Sequence, residues 1–219
     1  NAAYRHRLME RLGFVNRQFK KNSIVIHAAS VGEVLALKPL VEQLLQQQPT
    51  LTITFTTFTP TGSAQVQHLF AERVQHCYLP LDIWPCTALF LKLLQPSAMV
   101  FMETELWPNL LAQCKNKDIK CLLINGRLSP KSVNSYQKLT WLMQPALSAF
   151  HYIYCQSQDN LARFLTLGAN SNNIAVSGNV KYDISITETA LNKQKELQQY
   201  LPESRNVWVV ASTHQGDEA

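Results

Sequence analysis

Short apolar runs alternate with stretches of helical periodicity along most of this chain, and this alternation restricts the fold more than any other feature. The apolar runs are short and rich in β-branched residues, as buried strands are. Strands are predicted at 24–28, 52–57, 75–78, 98–102, 120–125, 151–155, 174–177 and 207–211. Helices are predicted at 33–47, 62–70, 83–94, 107–115, 132–141, 160–167 and 188–201. This order predicts an α/β fold with a Rossmann-like, doubly wound parallel sheet and helices on both faces.

The first strand leads into the sequence HAASVGE at 27–33, which precedes a helix. In a parallel α/β sheet such a turn lies at the carboxyl end of the strand, where ligands bind, and Gly32 permits a close backbone approach. Glu33 has two interpretations. It could complete a capping box with Ser30, or it could be a general base at the positive end of its helix. Spacing alone favours the capping box, because S-x-x-E before an apolar run is a common helix start.

Positive charge is concentrated at the start of the chain. The first 21 residues contain six basic residues and one acidic residue, so they account for the whole formal net charge of +5. Leu8, Met9, Leu12 and Phe14 lie among these charges. A segment of this kind suits a surface of anionic lipid, and the alternative is an ordinary solvated helix. No basic patch interleaved with aromatic residues follows, so no nucleic-acid partner is expected.

The remaining composition excludes several classes of protein. A content of 46% hydrophobic and 16% charged residues is typical of a globular domain, and no apolar run is long enough to cross a bilayer. The five cysteines form no C-x-x-C pair, and the six histidines show no metal-ligand spacing. We therefore expect reduced thiols and no metal site. His27 is interpreted as a satisfied residue at a strand end.

Two carboxylates follow the fourth predicted strand. Glu103 and Glu105 come directly after the buried run at 98–102, and a single helix cap does not explain both. At least one of them is therefore expected to act in the cleft at this edge of the sheet. Thr59 follows the second strand, where turn and N-cap chemistry would explain it equally well.

Cations are predicted at the same edge. Arg127 follows the fifth strand, and Asn179 and Lys181 follow the seventh. Carboxylates and cations that converge on one edge suit a sugar-acid or phosphate ligand, because the cations can hold its negative charge. Each cation could instead be an ordinary surface residue.

The complete series of motifs closely resembles the lipid A Kdo transferases, bacterial 3-deoxy-D-manno-octulosonic acid (Kdo) transferases of lipopolysaccharide synthesis. The motifs lie in order and with similar spacing at 27–33, 57–62, 78–82, 102–109, 125–129, 178–183 and 211–214. The resemblance covers the amino-terminal half of such an enzyme. It implies a GT-B glycosyltransferase, with two Rossmann-like lobes and the active site between them. It also implies the cytoplasmic face of the bacterial inner membrane as the location, with the membrane anchor outside this chain.

The resemblance assigns roles to three residues. By this likeness Glu33 accepts the proton of a lipid A precursor hydroxyl as that hydroxyl attacks the anomeric carbon of CMP-Kdo, and CMP leaves with inversion. Glu103 and Lys181 match positions that stabilise the transition state. No cofactor and no metal is implied beyond the donor CMP-Kdo. We expect further residues to bind substrate, namely Ser30, Gly32, Thr59, Glu105, Arg127 and Asn179.

Three segments are predicted. They are a basic membrane-proximal segment over 1–22, an acceptor-binding domain over 23–186, and a connecting helix with the first strand of a nucleotide-sugar domain over 187–219. By itself such a chain is expected to be inactive, since half of the donor site would be missing. Two other functions remain open: another GT-B nucleotide-sugar enzyme, such as a hexosyltransferase or epimerase, and a non-catalytic membrane-surface binding module.

Overall fold

Seven short strands, all parallel, form one sheet. The computed structural model describes residues 7–183, 188–201 and 208, and the strands lie in the first of these ranges. They are β1 (Ile24–His27), β2 (Ile53–Thr57), β3 (Gln75–Tyr78), β4 (Ala98–Met102), β5 (Lys120–Gly126), β6 (Tyr152–Cys155) and β7 (Ile174–Val176). Their spatial order is β3-β2-β1-β4-β5-β6-β7. The chain therefore builds outward from β1 in one direction and from β4 in the other, which is the doubly wound arrangement.

Most of the helices connect successive strands, while the first precedes β1 and the last follows β7. They are α1 (Leu8–Arg11), α2 (Val31–Gln47), α3 (Pro60–Phe70), α4 (Trp84–Leu94), α5 (Pro108–Asn116), α6 (Pro130–Gln137), α7 (Thr140–Ser148), α8 (Gln158–Thr166) and α9 (Glu188–Gln198). Serine or threonine side chains cap α2, α3, α6 and α8, and each accepts a hydrogen bond from the backbone N–H three residues further along the chain. These caps satisfy backbone N–H groups that a helix start would leave unpaired.

Both faces of the sheet are covered by apolar side chains. Val25 of β1 belongs to one buried cluster, which includes side chains of α4, α5, α7 and α8. Its neighbour Ile26 points to the other cluster, which includes side chains of α2 and α3. Successive strand residues face opposite sides, so a strand that is buried on both faces, such as β4, is largely apolar. The predicted fold class, a Rossmann-like parallel sheet with helices on both faces, is confirmed.

The chain divides into two compact units, Asn1–Asp183 and Ile184–Ala219. The first contains the sheet and helices α1 to α8, and the second contains α9. The three-segment division predicted from the sequence stays a prediction. The predicted strand over 207–211 and the motif at 211–214 lie outside the described residues, apart from Trp208.

One predicted helix is wrong. The sequence pattern favoured a single helix over 132–141, whereas the structure has α6 ending at Gln137 and a separate helix, α7, beginning at Thr140. The backbone of Leu139 leaves the helical region between them, and the Leu139 carbonyl accepts the N–H groups of Leu142 and Met143 to start the second helix. Pro145 lies inside α7. A proline of this kind reads as a helix breaker in the sequence, which concealed α7. The other predicted elements that fall on described residues are confirmed, with ends shifted by about one to three residues, within the usual uncertainty of helix boundaries.

Candidate active site

The order of strands reverses between β1 and β4, and the candidate site lies at the carboxyl edge of these two central strands. A crevice forms at such a point because the connections on its two sides run in opposite directions. Glu33 follows β1 and begins α2, while Glu103 and Glu105 follow β4. The topology therefore brings together carboxylates that are 70 residues or more apart in the sequence.

Glu33 takes part in the cap of α2 and is also a buried carboxylate, although its side chain accepts the Ala29 N–H where a capping box would use the Ser30 N–H. Ser30 caps α2 by accepting the Glu33 N–H, and the Glu33 carboxylate accepts hydrogen bonds from the Ser30 hydroxyl at 2.7 Å and the Ala29 N–H at 2.9 Å. The residue is only 9% exposed. Burial raises the pKa of Glu33, the two hydrogen bonds oppose the rise, and the charges of Glu105 and Glu103 add to it. A carboxylate with a raised pKa is a better proton acceptor than a free glutamate.

Glu103 and Lys181 form an ion pair. The Lys181 Nζ lies 2.9 Å from the Glu103 Oε1, and the carboxylate is the more buried partner. Glu103 also has a φ of 59°, in the left-handed region that non-glycine residues other than asparagine and aspartate seldom adopt. Strained residues of this kind occur preferentially at functional sites, where the surrounding structure holds them in place.

Glu105 is held by two ring nitrogens. Its Oε2 accepts a hydrogen bond from the Trp107 Nε1 at 2.9 Å and lies 3.2 Å from the Nε2 of His27, which is fully buried. The His27 Nδ1 lies within 3.1 Å of both the carbonyl and the hydroxyl of Thr56. An ionised carboxylate can only accept, so a hydrogen bond between these two groups uses the His27 tautomer with a proton on Nε2. His27 is indeed satisfied at a strand end, but its contact with Glu105 was not foreseen.

The other predicted substrate-binding residues lie around the same edge. A Cβ added to Gly32 would meet nothing within 4 Å, so open space lies beside the start of α2. Thr59 caps α3 and donates its hydroxyl to the Ala29 carbonyl at 3.1 Å, which ties the β2 turn to the β1 turn. Arg127 is exposed, and its backbone contacts the turn at 103–104. The Asn179 Oδ1 accepts the Lys181 N–H at 3.0 Å.

Tyr136 is a further residue near the site that the sequence pattern did not single out. It is partly buried on α6, and burial together with the charge of Glu105 raises the pKa of its hydroxyl.

In the ranges that the structure describes, the site's carboxylates and histidine do not form a cluster of the kind that holds a metal ion. The site thus combines a buried carboxylate, Glu33, with a carboxylate–ammonium pair, Glu103 and Lys181.

The basic segment at the start of the chain is only partly solvated. Arg11 is buried, donates to the Phe58 carbonyl at 2.8 Å and lies over the Phe58 and Tyr78 rings. Arg7 pairs with Glu10 at 2.7 Å and also contacts His76. Neither interpretation of this segment foresaw that two of its arginines would pack against the edge strand β3.

The sheet and its reversal point define a Rossmann-like α/β domain with a candidate ligand site at its carboxyl edge. Solved structures of two UDP-N-acetylglucosamine 2-epimerases share this fold. One is from Neisseria meningitidis with bound UDP-GlcNAc (TM-score 0.55, 14% identity, 83% of this chain and 55% of that chain). The other gives a TM-score of 0.52 at 14% identity, over 80% of this chain and 51% of that chain. At such low identity the likeness concerns the fold alone.

The chain belongs to the 3-deoxy-D-manno-octulosonic-acid transferase (Kdo transferase) family, whose model matches residues 6–184. It is 42% identical to a 3-deoxy-D-manno-octulosonic acid transferase of Haemophilus influenzae over 98% of this chain and 51% of that protein. It is also 31% identical to a transferase of the same name from Bordetella pertussis, over 89% of this chain and 45% of that protein. The chain thus spans about half the length of these relatives and corresponds to their amino-terminal half.

Proposed function

We propose that the full-length protein containing this chain transfers Kdo from CMP-Kdo to a hydroxyl of a lipid A precursor, with inversion at the anomeric carbon. Membership of the Kdo transferase family supports the transferred group. The observation that carries the mechanism is the position of Glu33, a buried carboxylate with a raised pKa beside open space at Gly32.

The reaction balances with the groups at this edge. The acceptor hydroxyl oxygen forms a bond to the anomeric carbon while Glu33 takes the hydroxyl proton. The bond between that carbon and the phosphate oxygen breaks, and CMP leaves with the electron pair. Each oxygen of the Glu33 carboxylate makes one hydrogen bond, to Ser30 or to the Ala29 N–H, and retains capacity to accept another from the acceptor hydroxyl.

The two members of the Glu103–Lys181 pair would stabilise opposite charges in the transition state. Positive charge grows on the sugar ring as the leaving group departs, and a nearby carboxylate such as Glu103 stabilises it. Lys181 can offset the carboxylate of Kdo or the departing phosphate, and Arg127 offers a second cation. The Lys181 Nζ lies 2.9 Å from the Glu103 Oε1, so both charges are close together before substrate arrives.

The decisive experiment uses the full-length protein with CMP-Kdo, UDP-GlcNAc and UDP-glucose as donors and a lipid A precursor as acceptor. Transfer from CMP-Kdo with release of CMP is expected, and NMR of the product should show an inverted anomeric configuration. Transfer from a UDP sugar, or epimerisation of one, would favour another nucleotide-sugar enzyme. The chain 1–219 alone is expected to release no CMP from CMP-Kdo, and release by it would show that the carboxyl-terminal half present in the relatives is dispensable for this step.

We also propose that this chain contacts the anionic cytoplasmic surface of the inner membrane through residues 8–21, which include α1. Leu8, Met9, Leu12 and Phe14 are between 43% and 55% exposed, and the exposed basic residues Arg17, Lys20 and Lys21 follow them. Such a pairing of apolar and basic groups suits anionic lipid. In the described ranges, none of the helices is both long and apolar enough to span a bilayer.

Vesicle sedimentation tests this location. Binding to vesicles with anionic lipid should exceed binding to neutral vesicles and should weaken with salt. Replacing Leu12 and Phe14 with serine should reduce binding to the anionic vesicles. Equal binding to both kinds of vesicle, or none, would refute the proposal.

A further inference from the structure

The residue that follows the apolar run of β5 has an unusual backbone. Asn125 is fully buried and has a φ of 53°, in the left-handed region. Asparagine is one of the few side chains that enter this region at modest cost, and glycine enters it at none. The backbone alone would therefore be served at least as well by glycine, so the asparagine side chain needs a separate explanation.

The side chain of Asn125 reaches the segment that bears Lys181. Its Oδ1 accepts the Val180 N–H at 3.2 Å, across 55 residues of sequence. Among the described residues its Nδ2 finds no hydrogen-bond partner, so only the acceptor end of the amide is used. An amide retained for stability alone would be expected to satisfy both ends, because an unpaired buried donor is costly.

The same short stretch of β5 holds the other half of the ion pair. The Ile124 carbonyl accepts the Glu103 N–H at 3.0 Å, and the Asn125 side chain holds the residue before Lys181. The Gln156 Nε2 in turn donates to the Asn125 carbonyl at 3.2 Å. Both partners of the 2.9 Å pair between Glu103 and Lys181 are thus anchored on consecutive residues of one strand.

We propose that Asn125 is a positioning residue for the transfer reaction: its side-chain oxygen fixes the 178–183 segment so that the Lys181 ammonium lies against Glu103. This inference rests on the proposed function, since it gives Asn125 a role in a reaction for which Lys181 supplies the charge. Asn125 itself is buried and acts only through Lys181.

Asn125→Gly separates the role of the side chain from that of the backbone, because glycine adopts the left-handed conformation readily while the whole amide side chain, and with it the hydrogen bond from the Val180 N–H, is removed. In the full-length protein, kcat for Kdo transfer should fall about ten- to a hundredfold with little change in KM, since misplacing a charged group by about 1 Å can cost that much. Gln113→Ala is the matched control. Gln113 is a buried amide between α5 and α4, hydrogen-bonded to Trp84 and Thr87, and its loss should leave kcat unchanged.

A double-mutant cycle with Lys181→Ala identifies the route of the effect. If Asn125 acts through Lys181, Asn125→Gly should cause no further loss of kcat in the Lys181→Ala background. The same fold-loss in both backgrounds, or wild-type kcat in Asn125→Gly, would overturn the inference.

Hydrogen–deuterium exchange of the full-length protein gives a readout that does not depend on activity. Backbone amides at 178–183 should exchange about tenfold faster or more in Asn125→Gly than in wild type, and should be unchanged in Gln113→Ala. Unchanged exchange in Asn125→Gly would overturn the anchoring role. If the wild-type protein transferred no Kdo, the proposed function would fail, and this exchange measurement would still decide whether Asn125 holds the segment.

Discussion

Replacing Glu33 with glutamine separates the two roles that its geometry combines. Glutamine retains an oxygen that can accept the Ala29 N–H and an amide that can donate to the Ser30 hydroxyl, so both hydrogen bonds of the carboxylate have a neutral counterpart. It cannot take a proton from an acceptor hydroxyl. We therefore expect Glu33→Gln to fold normally and to lose Kdo transfer.

The stability change can be worked from these contacts. Replacing each charged hydrogen bond by a neutral one lowers the free energy of unfolding by about 1 kcal/mol. Removing a buried charge raises it by a similar amount, because the charge no longer has to be desolvated on folding. The net change should lie within about 1 kcal/mol, or about 2–4 °C in Tm for a domain of this size. Glu33→Ala is the contrasting variant, because it leaves the Ala29 N–H without its acceptor and should cost about 1–3 kcal/mol.

The stability of wild type relative to Glu33→Gln should also depend on pH in a defined direction. Burial raises the pKa of Glu33 above 4.5, so the folded state binds the proton more tightly than the unfolded state. Its contribution to stability is therefore present below pH 4.5 and is lost as the pH rises through the folded pKa. The difference in Tm between the two proteins, wild type minus Glu33→Gln, should fall across that window.

The assays are thermal melting of the chain across pH and Kdo transfer by the full-length protein. A positioned general base contributes about 10²–10⁴ in rate, so kcat of Glu33→Gln should fall by at least that much. Turnover within tenfold of wild type would refute the base assignment. A collapse of Tm in Glu33→Gln would instead mean that the carboxylate is mainly a structural cap.

Three further predictions concern single residues. Lys181→Ala should lower kcat about 10²–10³-fold, because a positive charge beside the transition state is lost. Its Tm should change by about 2 °C or less, because the side chain is 43% exposed, and a large loss of Tm would indicate a structural lysine. Gly32→Ala should raise the free energy of unfolding by about 0.5–1 kcal/mol, since nothing lies within 4 Å of the new methyl group. If substrate lies against this turn, the same change should raise KM, and an unchanged KM would contradict the close approach. Burial and the charge of Arg7 lower the pKa of His76 from 6.5 to about 3, so the folded state binds this proton less tightly than the unfolded state. As the pH falls from 6.5 to 3, the free energy of unfolding of wild type should therefore decrease by about 3–5 kcal/mol relative to that of His76→Gln. Parallel curves of stability against pH for the two proteins would refute this.

Local features of the site could be predicted because they depend on neighbours in the chain. Ser30 caps the helix that Glu33 enters, and Ser129 and Ser157 cap α6 and α8, since a side chain three residues from an N–H needs no tertiary contact to reach it. The break between α6 and α7 was missed for the complementary reason. Propensity counts Pro145 against a helix, whereas packing of α7 on the core offsets that cost.

Contacts between distant residues could not be predicted in detail. The pattern of buried strands placed Glu105 at the carboxyl edge, but its bond with His27 spans 78 residues and depends on β1 and β4 being neighbours. The burial of Arg11 against Phe58 and Tyr78 likewise depends on how the first turn packs on β3. Charge and hydropathy along the sequence carry no signal for such pairings.

The sequence by itself determined the alternation of strands and helices, and with it the edge at which Glu33, Glu103 and Lys181 all occur, because side-chain periodicity and the handedness of strand–helix–strand units leave few other arrangements. Tertiary structure alone decided which of these groups touch. The Glu103–Lys181 pair and the Asn125 bond to Val180 each join segments 55 residues or more apart, and their distances follow from strand order and register rather than from any local preference.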